Sequence, residues 1–107
     1  MNEEIELFND ALRQIERIEV TFYRREPWLG GERFELHFDN GYGASVIRFV
    51  SEFCDSYGGR EGLWELAVLS DNGGKWNIAY DTPITDNVLG WLTEVDVIDT
   101  LKRIAKM

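Results

Sequence analysis

The chain has 107 residues, a formal charge of −9 at pH 7 and 44% hydrophobic residues, among them four Trp, four Tyr and six Phe. One domain of this size buries roughly two-thirds of the surface its unfolded chain exposes, and this aromatic content offsets chain entropy without a disulfide or a metal. A single domain over residues 1–107 is expected, and twenty acidic against eleven basic side chains set aside direct binding to nucleic acid or to an anionic membrane surface.

The N-terminus, Met1-Asn2-Glu3-Glu4, lacks the basic start and apolar run of a signal peptide. No stretch approaches the ~18 apolar residues that cross a bilayer, and Cys54 is the single cysteine. The expected location is the reducing cytoplasm, with Cys54 an ordinary thiol.

Asn2 serves as an N-cap, and Ile5, Phe8, Leu12 and Ile15 recur at helical spacing, which predicts an amphipathic helix over residues 3–17. Ile18, Val20 and Phe22 then alternate with polar neighbours as in a half-buried strand, until Pro27 and Gly30-Gly31 interrupt. Phe34, Leu36 and Phe38 mark a second strand ending at Asn40-Gly41, a hairpin signal, and Ala44 to Val50 a third. Residues 52–62, with three glycines, read as a mobile loop. Leu63–Leu69 and Trp76–Tyr80 form a second hairpin around Asp71-Asn72-Gly73-Gly74. Thr93 to Asp96 has the spacing of a capping box, and Val97, Ile98, Leu101, Ile104 and Ala105 trace a final helix over 94–106. The fold class is α+β, an antiparallel sheet of about five strands with N- and C-terminal helices packed on one face.

Chemistry is sparse. His37 is the only histidine, and its strand position places it with Glu35 and Asp39 on a solvated face rather than between a nucleophile and a carboxylate. One Cys and one His cannot supply the ligands of a zinc site. Asp71-Asn72-Gly73 lacks the remaining ligands of a calcium loop and is explained by a turn. Tyr57-Gly58-Gly59-Arg60-Glu61-Gly62 is rich in glycine but leads into a strand, whereas a phosphate loop leads into a helix. Glu65 either points into a hydrophobic face, as a catalytic acid would, or faces water on the wet side of an antiparallel sheet, and the second is expected. No catalytic residue, metal or cofactor is assigned.

Two features point to a macromolecular partner. Residues 34–101 hold twelve acids against Arg48, Arg60 and Lys75, a balance of −9. Trp64 and Trp76 fall in strands and read as structural, while Trp28 in its Pro-Gly-Gly turn and Trp91 in the segment Val88–Leu92 read as contacts for a partner.

Three stretches, Asn40-Gly41-Tyr42-Gly43-Ala44-Ser45-Val46, Gly62-Leu63-Trp64-Glu65-Leu66-Ala67-Val68-Leu69 and Tyr80-Asp81-Thr82-Pro83-Ile84-Thr85-Asp86, together with Tyr57-Gly58-Gly59, resemble a family of short hypothetical proteins of tailed bacteriophages and prophages over residues 33–107. The resemblance implies expression in a bacterial cytoplasm and an accessory role, and it brings no catalytic residue. Tyr57, Asp81 and Asp86 lie in these motifs and join Trp28 and Trp91 as candidate binding residues. The expected function is binding of another protein. The alternatives are an acidic nucleic-acid mimic that inhibits a host nuclease or defence complex, and a small enzyme.

Overall fold

The computed structural model describes residues 20–51, 55–84 and 88–107; the expected helix over 3–17, Cys54 and Asp86 lie outside them. Six strands are present among the described residues: β1 Val20–Trp28, β2 Gly31–Phe38, β3 Tyr42–Arg48, β4 Trp64–Asn72, β5 Lys75–Ile78 and β6 Val88–Leu92, followed by helix α1, Glu94–Ala105. Every pairing is antiparallel, in the order β1-β2-β3-β4-β5 with β6 also on β4. The edge of β4 that faces away from β3 is thus divided. Its C-terminal part, Leu69 to Asn72, pairs with β5 and its N-terminal part, Trp64 to Ala67, with β6.

The expected antiparallel α+β class holds, with one strand more than expected. β6 escapes a pattern search because Val88-Leu89-Gly90-Trp91-Leu92 does not alternate and carries an interior Gly, so its extended form depends on pairing with β4. β1 is also longer than expected. It runs through Pro27 to Trp28, which its place at the end of the strand order allows, since an edge position needs no ladder donor from every residue.

Three turns join the strands of this meander. Leu29-Gly30 links β1 to β2 with φ of 51° and 83°, and Gly73-Gly74 links β4 to β5 with φ of 68° and 93°. Both are two-residue loops with positive φ at each position, whose twist matches that of the flanking strands. The hairpin expected at Asn40-Gly41 forms as a three-residue loop, Asp39 to Gly41, in which Asn40 accepts from the Tyr42 N–H at 3.0 Å. The Asn40 amide also donates to the Ile104 carbonyl at 2.9 Å, satisfying a carbonyl in the last turn of α1 and tying turn to helix.

One face of the sheet is apolar and packs under α1. Phe34, Leu36, Phe38, Ala44, Val46, Trp64, Leu66 and Val68 meet Val97, Leu101 and Ile104 in a single buried cluster, each large side chain contributing about 1.5–3 kcal/mol. The helix begins with the expected capping box: Thr93 Oγ1 accepts from the Asp96 N–H at 3.2 Å, and Asp96 returns the bond to the Thr93 N–H at 3.1 Å. Among the described residues α1 lies over β3, β4 and β6, and toward β1 and β2 arginine side chains rest on the apolar face. Arg25 and Arg48 flank Glu32 at 2.8 and 2.9 Å while covering the rings of Phe34 and Trp64. Burial beside Phe34 raises the Tyr23 phenol above its ordinary pKa, with Arg25 opposing.

The opposite face departs from simple alternation at a bulge. Val20 pairs with Phe38 but Phe22 with His37, so Thr21 is the extra residue. Val20 therefore joins the core while Phe22 reaches the other face, although the sequence places both on one side. There Phe22 and Trp76 stack against His37 with centroids at 4.6 and 3.7 Å. His37 is 8% exposed, which corrects its reading as a solvated residue. Its Nε2 lies 2.7 Å from Glu35, whose other oxygen accepts from Arg33 at 2.7 Å.

Candidate binding surface

The candidate site is built where β6 meets the connection between β3 and β4. Trp64 pairs with Leu92 and Leu66 with Leu89, so Gly90 and Trp91 together oppose Glu65. This β-bulge puts Trp91 in the left-handed region at φ 54°, a conformation that costs roughly 1–2 kcal/mol for a residue with a Cβ. Its N–H leaves the β4 ladder and donates to the Tyr57 carbonyl at 3.1 Å. A Cβ on Gly90 would collide with the Tyr57 side chain, and one on Gly58 with the Trp91 backbone, so both glycines permit the approach.

The described part of the connecting segment forms no strand of the sheet and is held at several points. Ser56 is buried; its Oγ accepts from the Phe49 N–H at 2.8 Å and its N–H donates to the Phe49 carbonyl at 3.1 Å. The Tyr57 N–H donates to Glu65 at 2.8 Å. Glu65 thus stands on the face away from the helix, as expected, and its carboxylate secures the loop.

Tyr57 and Trp91 are two of the five sequence candidates, and the fold brings them together. Their rings stack nearly parallel, 11° apart with centroids at 5.4 Å, yet they are 52% and 59% exposed. Both border a hollow of about 320 Å³ with Asp55, Arg60 and Glu61. Arg60 is turned onto Asp55 by two bonds of 2.8 and 3.2 Å, and no ion pair to Glu61 is present among the described residues.

The other candidates fall elsewhere. Trp28 is the last residue of β1, paired with Gly31 rather than lying within the turn. It borders a cleft of about 360 Å³ on the sheet face away from α1, with Arg33 over its ring at 4.9 Å. Trp76 lines the same cleft, so its reading as purely structural is incomplete; Trp64, with no exposed surface, matches that reading. The charged groups in the cleft are already engaged: Arg33 binds Glu26, Glu35 and Ser45, and Glu65 binds Tyr57. Asp81 is exposed in the segment after β5 and adjoins neither hollow.

No group of three potential metal ligands occurs among the described residues, and no described helix is long and apolar enough to cross a membrane. No protein-family model, curated protein or solved structure matches the chain.

Proposed function

We propose that the protein works by binding another protein through the Tyr57–Trp91 pair. The observation that carries this is a pair of large rings held parallel and more than half exposed, one of them fixed in a costly backbone conformation. Exposed aromatic side chains in a fixed orientation lose little entropy on docking and are the commonest anchors of protein interfaces. The resemblance to phage and prophage proteins makes the bacterial cytoplasm the place to seek the partner, and an accessory role, without turnover, is the reading we adopt. Glu26, Glu32, Glu35 and Asp55 are committed to arginines of the chain itself, which favours an ordinary interface over a carboxylate array imitating DNA.

The test begins with cross-linking and capture of the tagged full chain from bacterial cells, followed by titration of the purified partner. Trp91→Ala is expected to weaken the complex by ~2 kcal/mol or more, about thirtyfold, mainly through faster dissociation. A partner bound equally well by wild type, Trp91→Ala and Tyr57→Ala overturns the proposal.

A further inference from the structure

Three of the described guanidinium groups share one pattern. Arg48 lies over Trp64 at 4.2 Å and is paired with Glu32. Arg33 lies over Trp28 at 4.9 Å and is paired with Glu26 and Glu35. Arg25 lies over Phe34 at 5.0 Å and is again paired with Glu32. In each case a carboxylate fixes the planar cation that rests on a ring, which is the arrangement a guanidinium satisfies better than an ammonium.

Trp91 has two of these three parts. Its ring is exposed, with Tyr57 stacked on one face, and Glu61 borders the same hollow. No cation lies over Trp91 among the described residues, because Arg60 is held on Asp55. The Asp55 and Arg60 charges offset each other, so among the described residues that border it Glu61 sets the sign of the hollow, and the −9 of the whole chain attracts a basic surface from a distance.

We infer that the hollow beside Trp91 takes an arginine side chain from a basic segment of the bound protein, with the guanidinium over the indole and Glu61 as its carboxylate. This rests on the proposed binding role and names the chemistry of the contact. A lysine is a poorer occupant, since its compact, strongly hydrated ammonium presents no plane to the ring.

The probe is the capped peptide Gly-Arg-Gly-Arg-Gly, titrated into the full chain beside its lysine and citrulline counterparts. The readout is the indole N–H resonance that disappears in Trp91→Phe. A saturable shift is expected with the arginine peptide, weaker by at least about fivefold with the citrulline peptide and in the Glu61→Gln variant. Glu61 is exposed, and an unchanged Trp64 indole signal verifies that the variant keeps its fold. An unmoved Trp91 signal, or equal binding of the citrulline or lysine peptide, overturns the inference. If a captured partner depends on Trp91 while the arginine peptide does not bind, the inference falls and the binding role stands. If the partner ignores Trp91 and Tyr57, the binding role itself falls.

Discussion

Trp64 flanks the bulge on β4 and Trp91 is one of the two bulged residues of β6, on strands that pair with each other, and their surroundings are opposite. Trp64 sits in the core with Phe34 against it and Arg48 over it. Trp91 is carried outward by one extra residue, and its ring stacks on a second exposed ring. A single-residue change of register therefore separates a side chain that holds the fold from one left free for contact.

The comparison fails most visibly if the two tryptophans contribute alike to stability. Trp64→Ala is expected to cost about 3–5 kcal/mol, from lost burial and the cavity left behind, whereas Trp91→Ala is expected to cost less than about 1 kcal/mol. Denaturant unfolding of both variants measures the gap, and equal losses would make Trp91 structural.

Backbone cost can be separated from ring contact by a second substitution at the same position. Trp91→Gly is expected to be more stable than Trp91→Ala by about 1 kcal/mol, because both lack the ring and only glycine is at ease at positive φ. Equal melting temperatures would mean that the bulge relaxes once the ring is gone.

Leu29 supplies the control, since it is the other described non-glycine residue at positive φ, in the β1–β2 turn and not in β6. Leu29→Asn is expected to add roughly 0.5–1 kcal/mol by suiting the turn while leaving affinity for the captured partner unchanged. Lost affinity in this variant would extend the binding surface to the β1–β2 hairpin.

The smallest expected effect concerns Tyr23, at the margin of the core that contains Trp64. Its pKa is raised in the folded chain, chiefly by burial, so its neutral form stabilises the fold fully below the unfolded value of about 10. That contribution disappears as pH rises through the folded value. Tyr23→Phe should therefore lessen the loss of stability as pH rises above about 10, and identical alkaline profiles would show that Tyr23 makes no such contribution.

Much of the covered face was legible because its physics is local. Phe34, Leu36 and Phe38 alternate, Val97, Leu101 and Ile104 repeat at helical spacing, and Thr93 with Asp96 marks a cap, so burial and the helix start follow directly. The candidate surface was legible only in part. Trp91 and Tyr57 stood out as aromatics in weakly patterned segments, but their stacking depends on β6 joining β4, a contact between segments distant in sequence. His37 misled because it lies between Phe22, turned to this face by a bulge, and Trp76, three strands away, which no alternation rule anticipates. The bulges at Thr21 and at Gly90-Trp91 escaped for the same reason: an inserted residue is visible only against the strand it pairs with.

The divided edge of β4 has a consequence for how the surface is recognised. Tyr57 precedes β4, Trp91 follows β5, and the two are neighbours only while β6 occupies its half of that edge. The surface is thus a discontinuous epitope. An excised peptide spanning residues 88–92 carries the indole without its stacking partner or its bulge, and should not compete with the intact protein for the partner. An antibody selected against the Tyr57–Trp91 pair would accordingly report native chains and ignore denatured ones.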